Sequence, residues 1–248
     1  MRRGERIAVV IPARDEEDAI AKVIGDIPDW VDETIVADNG SRDETAARAS
    51  AAGARVVPEP EPGYGGACLA GIAAIERTDI VVFLDGDYSD YPDEMAALVD
   101  PILADRADMV IGSRVTGECE AGSLTVPQQF GNWLATRLIA LIWGHRYTDL
   151  GPFRAIRKDA LDRLLMADRN YGWTVEMQVR AAEEGLRTAE VPVRYRQRIG
   201  VSKVSGTVSG SVKAGYKILY IIGRQAMMRA FSRRTKSASR AATSTQPR

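Results

Sequence analysis

Val81-Val82-Phe83-Leu84-Asp85-Gly86-Asp87 decides both how this chain folds and where its chemistry sits. Four consecutive apolar residues without alternation describe a strand buried on both faces, as in a parallel sheet covered on each side. In open α/β sheets, ligands bind just beyond the carboxyl ends of the strands. Residues i and i+2 of an extended chain point the same way, so Asp85 and Asp87 can face one hard cation while Gly86 lets the backbone turn beside it. Mg²⁺ typically rests on one or two carboxylates, substrate phosphates and water. That suits an enzyme acting on a diphosphate-bearing substrate. An isolated Asp-Gly-Asp also serves as a plain acidic turn between strand and helix, so its surroundings decide.

Outward from this run, strands alternate with helices, which predicts a mainly parallel sheet with helices on both faces. Strands are expected at Ile7–Ile11, Glu33–Ala37, Arg55–Val57, Val81–Leu84, Met109–Ile111 and Thr188–Tyr195. Helices are expected from about Asp15, from near Ser41 or Asp43, from the Gly63-Tyr64-Gly65-Gly66 cluster to Glu76, and from Pro92, Pro127 and Trp173. Asp149-Leu150-Gly151-Pro152-Phe153-Arg154 reads as a turn-rich connection. A final helix is expected over 211–231, after a catalytic domain spanning 1–210 and before a basic, disordered tail over 232–248. The glycine cluster is not a dinucleotide fingerprint, because the third glycine falls on Cys68 and a proline-rich loop, not a strand, precedes it. It can offer helix N–H groups to an anion or simply cap a helix.

The 248 residues are 45% apolar and 27% charged, ordinary for one soluble globular unit. Cys68 and Cys119 lack metal-ligand spacing and read as reduced thiols of a cytosolic protein. The first residues run straight into a strand, so no signal peptide is expected, and no stretch reaches the ~18 apolar residues that a span needs. The net charge of −1 conceals a division: thirteen of the 33 Lys and Arg lie from Arg194 onward, where none of the 34 acidic residues falls. Such a basic end meets nucleic acid or an anionic membrane. Nucleic acid is the weaker option, since zinc-finger, RNA-binding and helix-turn-helix patterns are missing. In the final helix Tyr216, Ile218, Leu219, Tyr220, Ile221 and Ile222 stand amid Lys213, Lys217, Arg224 and Arg229, which suits a helix at a membrane interface; the competing view is a helix packed on the domain or in a dimer contact. His145, the single histidine, follows an apolar helix and is expected to pack.

Five features occur in order: Ile11-Pro12-Ala13-Arg14-Asp15-Glu16-Glu17, Asp38-Asn39-Gly40-Ser41-Arg42-Asp43-Glu44-Thr45, Gly63-Tyr64-Gly65-Gly66, Asp85-Gly86-Asp87 and Gly112-Ser113-Arg114. Together they resemble the family 2 glycosyltransferases of the GT-A fold, especially the polyprenyl- and dolichyl-phosphate sugar synthases, over roughly residues 6 to 205. The resemblance implies that Pro12, Arg14 and Glu16 line the base and ribose of a nucleotide sugar, with Asp38 and Gly65 among the donor contacts. Asn39 stands where the family's D-D-G-S motif has its second acid, which leaves the base open. Asp85 and Asp87 match the D-x-D pair that holds a divalent cation, Mg²⁺ or Mn²⁺, on the donor diphosphate. Arg114 matches an arginine near phosphate, and Glu176 falls where relatives place an acceptor-side carboxylate; with Asp87 these form the expected catalytic set. Arg196, Arg198, Ser202 and Lys203 resemble the R-x-G-x-S-K stretch near a lipid-phosphate acceptor, and alternation places Arg194, Arg196 and Arg198 on one face of an extended segment. A solvated edge strand guarded by its charges is the other reading of those arginines.

The implied activity is metal-dependent, inverting transfer of a sugar from a nucleotide-diphosphate donor to a polyprenyl phosphate, by a cytoplasmic protein held peripherally on the membrane face. Alternatives are the same donor chemistry with a soluble or glycan hydroxyl acceptor, and a non-catalytic membrane adaptor that keeps the fold.

Overall fold

The computed structural model describes residues 1–200 and 215–229. In chain order these form β1 (Ile7–Ala13), α1 (Ile20–Gly25), β2 (Glu33–Asp38), α2 (Thr45–Ala51), β3 (Arg55–Pro58), α3 (Tyr64–Ala74) and β4 (Ile80–Phe83). A 3₁₀ turn (Pro92–Glu94) then leads into α4 (Met95–Leu103), β5 (Met109–Ser113), α5 (Val126–Trp143), β6 (Arg154–Arg157), α6 (Lys158–Leu164), α7 (Trp173–Glu184) and β7 (Thr188–Pro192). Residues 215–229 form a last helix, α8.

The seven strands make one sheet in the order β3-β2-β1-β4-β6-β5-β7. β6 alone runs antiparallel to its neighbours, pairing Phe83 with Arg154 on one side and Ile111 with Arg154 on the other. The sheet is sandwiched as expected. Val10, Val81 and Phe83 join a core with residues of α3, α5, α6, α7 and α8, while Ile7, Val9, Ile11, Ile80, Val82 and Leu84 join another with α1, α2 and α4. The unbroken apolar run of β4 therefore fills both faces, and each fully buried side chain of this kind contributes about 1.5–3 kcal/mol.

Several elements depart from expectation. β1 continues through Pro12 to Ala13, because β4 pairs β1 only as far as Val10↔Phe83 and leaves one edge where a missing N–H costs nothing. The following helix begins at Ile20 rather than Asp15, whose φ of 51° is left-handed and incompatible with a helix start. β6 and α6 follow the turn-rich connection ending at Arg154, where no element was expected. β7 ends at Pro192, and Tyr195 beyond it makes only single bridges to Asp90 and Cys119. The expected helix over 211–231 is seen as residues 215–229, with Ile221 and Ile222 buried in the core, so one of its faces packs on the domain. The expected tail at 232–248 lies outside the described residues. His145 packs as expected, its ring 4.6 Å from that of Tyr147 and its Nε2 2.5 Å from Thr188 Oγ1.

Candidate active site

A cavity of about 1030 Å³ opens at the carboxyl ends of β1 and β4. At its floor β4 gives way to Asp85-Gly86-Asp87, with Gly86 tight against β1: a Cβ there would meet the Cβ of Ala13 at 3.2 Å. Asp85 Oδ1 accepts the Tyr64 hydroxyl at 3.0 Å. Asp87 Oδ1 accepts the Ser89 amide at 2.9 Å and its hydroxyl at 2.5 Å, while Oδ2 is paired with the Arg198 guanidinium. A third carboxyl, Asp90, lies beneath them at 1% exposure; its Oδ2 accepts the Asp85 amide at 3.2 Å, and its Oδ1 has no hydrogen-bond partner. Burial, then the charge of Asp87, pushes the Asp85 carboxyl above the ordinary carboxylate range, and burial followed by Asp85 does the same to Asp90. Burial and mutual repulsion thus both oppose full ionisation of this carboxyl cluster.

That donor set fits a hard cation. Asp85 and Asp87 offer carboxylate oxygens only, and no cluster of three or more His, Cys, Asp or Glu exists among the described residues that could enclose a metal alone. A cation here would complete its shell with phosphate oxygens and water, as Mg²⁺ does.

The loop leading from Asp87 is held by force of contact rather than by propensity. Tyr88 adopts a φ of 65°, unusual for a bulky residue. The Arg196 guanidinium stacks 3.3 Å over its ring, Nε donates to Tyr88 O at 2.5 Å, and Nη2 donates to Asp90 O at 3.1 Å. Arg196, expected near an acceptor phosphate, is thus occupied with shaping this turn and is not among the residues lining the cavity. Arg194 is also spoken for, paired with Glu94 at 2.6 Å and Asp93 at 2.9 Å. Of the three alternating arginines, Arg198 lines the cavity. Ser202 and Lys203 lie outside the described residues.

On the other rim, Pro12, Arg14, Glu16 and Asn39 line the cavity. The motif around Ser41 works as a bracket: Ser41 Oγ accepts the Asp15 amide at 2.9 Å, Thr45 Oγ1 that of Glu16 at 2.7 Å, and Asp43 that of Glu17 at 3.2 Å. Asp38 is half-buried behind the rim, accepting the Ser41 amide at 3.4 Å; it is brought close to the site but not into its lining. Asn39 explains its own departure from the motif. Its Nδ2 donates to the carbonyls of Glu59 (3.0 Å) and Glu61 (2.8 Å), and its Oδ1 accepts the Gly63 amide at 2.8 Å. An acid could not donate to those carbonyls.

Gly65, expected among the donor contacts, packs tightly and is not among the cavity-lining residues. A Cβ there would come within 2.0 Å of Asp168 O, and its amide donates to Asn170 O at 3.2 Å. Glu176, expected on the acceptor side, lies away from the cavity wall. It is 1% exposed and accepts the amides of Ala167 (3.1 Å) and Asp168 (2.7 Å) and the Arg180 guanidinium (2.9 Å). It orders the turn before α7. Arg114 lines the cavity but is gripped by Asp149, whose two oxygens take its Nε and Nη2 at 2.8 Å each, with the Tyr195 ring 5.0 Å away. Burial opposes the Arg114 charge, but Asp149 outweighs it and holds the guanidinium firmly protonated. Conversely, burial would raise the Asp149 carboxyl, yet Arg114 and two backbone amides bring it below its usual value.

Tyr64, Asp90, Asp149, Arg154 and Tyr195 are site-forming residues that the sequence did not single out. Arg154 is the most surprising chemically: wholly buried in β6, it donates to the carbonyls of Leu150, Gly151 and Thr174, with burial pulling its pKa down. The spacing Asp85-x-Asp87-x-x-Asp90 was the one available signal for Asp90.

Comparison with known proteins agrees with this arrangement. The model of the glycosyl transferase family 2 matches residues 8–165. A dolichyl-phosphate hexose transferase of Haloferax volcanii is 33% identical over 83% of this chain and 89% of its own. An undecaprenyl-phosphate mannosyltransferase of Micrococcus luteus is 30% identical, over 83% and 90%. Glucosyl-3-phosphoglycerate synthase from Mycobacterium tuberculosis, solved with Mn²⁺, UDP and glucosyl-3-phosphoglycerate, superposes with a TM-score of 0.71 and 26% identity, covering 90% of this chain and 80% of that one. With the paired aspartates at the strand end and a sheet shared with structures of this class, the chain belongs to glycosyl transferase family 2 and resembles its polyprenyl-phosphate sugar synthases.

Proposed function

We propose that this protein is a metal-dependent, inverting glycosyltransferase that moves a sugar from a nucleoside-diphosphate donor to a polyprenyl phosphate, working peripherally on the cytoplasmic face of a membrane. The single observation that carries the reading is that Asp85, Asp87 and Arg198 meet in one cavity at the end of β4. Two acids and a guanidinium suit two phosphate-bearing reactants. Mg²⁺ or Mn²⁺ on Asp85 and Asp87 would offset the charge that builds on the departing diphosphate. Arg14, Glu16 and Asn39 form the wall suited to the nucleoside, and Arg198 stands where an acceptor phosphate can approach. Displacement in one step inverts the anomeric carbon.

The state of Glu176 supports a phosphate acceptor over a hydroxyl one. An alcohol needs a general base; a phosphate is already ionised, and Glu176 is committed to backbone amides and Arg180. The soluble-acceptor reading draws its support from the structural similarity to glucosyl-3-phosphoglycerate synthase. Membrane contact is supported by the exposed row Val126, Phe130, Trp133 and Leu141 on α5, and by exposed Tyr216, Leu219, Tyr220 and Met227 on α8. No helix among the described residues is long and apolar enough to cross a membrane.

Incubating the protein with membranes and radiolabelled UDP- or GDP-sugars is expected to label an organic-extractable lipid in a Mn²⁺- or Mg²⁺-dependent way. Asp87→Ala is expected to lower that transfer by roughly a hundred-fold or more. Full transfer by the variant, or labelling confined to a soluble product, would overturn the assignment.

A further inference from the structure

Helix α8 does more than close one side of the cavity with Gly215 and Ile218. Lys217 points inward from it, its Nζ 2.9 Å from Asp168 Oδ2, in an ion pair whose carboxylate is 4% exposed. The other oxygen of Asp168 accepts the amides of Asn170 at 2.8 Å and Gly172 at 3.1 Å, so segment 168–172 is wrapped around this one carboxylate. One turn along α8, Ile221 sits so close that a Cβ on Gly172 would lie 2.7 Å from its Cγ1. The wrapped segment in turn seats α3: the carbonyls of Arg169 and Asn170 accept the amides of Gly66 (2.9 Å) and Gly65 (3.2 Å). From that first turn Tyr64 reaches Asp85.

We propose that Lys217 is a positioning residue for the donor site, fixing through Asp168 the segment that holds α3 and Tyr64 against Asp85. The inference rests on the nucleotide-donor reading above and deepens it, placing control of donor affinity on the C-terminal helix. The physical reason is the asymmetry of a buried pair. Removing the cation leaves a carboxylate out of water without its counter-charge, which the fold relieves by opening locally to hydrate it. Asn170 and Tyr171, both in the cavity wall, move with that opening. An exposed tether between helix and domain would have no such effect.

The test uses the full chain with Lys217→Met, which keeps length without charge, and Lys217→Arg, which restores charge. Affinity for UDP and GDP with Mn²⁺ is measured by calorimetry, and backbone amide exchange is followed over 64–68 and 168–172. Lys217→Met is expected to weaken nucleotide binding roughly three- to thirty-fold and to speed exchange in both segments, while Lys217→Arg recovers most of both. Equal binding by Lys217→Met, faster exchange confined to α8, or an arginine variant as impaired as the methionine one would each overturn the proposal. If the unaltered protein binds neither nucleotide, the donor reading falls and takes the affinity claim with it, and the exchange pattern separately decides whether Lys217 holds the segment.

Discussion

Asn39 shows how one atom can set the chemistry of a rim. Its amide nitrogen serves two carbonyls of the 59–61 loop. Asn39→Asp would put an acceptor against them, and the expected cost is about 1–3 kcal/mol, read as a lower urea midpoint with the loop loosened around Gly63. A variant as stable as the parent would remove the role of Asn39 in holding that loop. Asp149 makes the companion case for pH. Its carboxyl titrates below the ordinary value in the folded protein, with burial opposing and Arg114 and backbone amides prevailing. Its stabilisation is therefore complete above the unfolded value of about 3.9 and is lost as pH falls through the lower folded value. Asp149→Asn is expected to cost about 3–5 kcal/mol at neutral pH, because it strands a buried guanidinium, and to flatten the acid limb of the stability curve. An unchanged acid limb would assign that limb to other carboxylates.

Among the elements, the ones with a single unmixed signal could be read from the sequence. β4 and its aspartates were visible because an apolar run and two acids sit side by side. β6 was not. Arg154-Ala155-Ile156-Arg157 carries guanidiniums at both ends, and a wholly buried arginine satisfied by carbonyls leaves no trace in local pattern. The same blindness hid the partners of Glu176 and Arg196: residue type and spacing locate an acid or a base, but only tertiary contacts decide which partner takes it. Gly65 illustrates the point from the other side, since its smallness serves α3 packing. Gly65→Ala is expected to destabilise by about 1–3 kcal/mol through overpacking and to weaken nucleotide binding as α3 shifts away from 168–170. Retained thermal stability would mean the backbone yields there freely.

At the level of the whole molecule, charge division and exposed apolar residues reinforce each other. The basic residues from Arg194 onward were visible in the sequence, whereas α5 was expected there only as a helix begun by Pro127 and its outward apolar row emerges from the structure. Each basic residue near an anionic surface is worth about 1 kcal/mol, so the full chain is expected to co-sediment with vesicles rich in phosphatidylglycerol and to release as salt rises. Phe130→Ser with Trp133→Ser should lower the bound fraction at every salt concentration; binding indifferent to both salt and these substitutions would leave the face without a lipid role.

The reversed strand β6 has a consequence for how the protein comes into being. Because it runs against β4, its entering turn arrives at the rim where β4 ends, bringing Asp149 and Leu150 to a floor whose aspartates were translated long before. Until Arg157 has emerged from the ribosome, the nascent sheet has an open seam along Ile80–Phe83, an apolar edge of the kind that recruits foreign strands. The floor of the cavity is therefore finished late, when a later stretch of chain slips between strands made earlier.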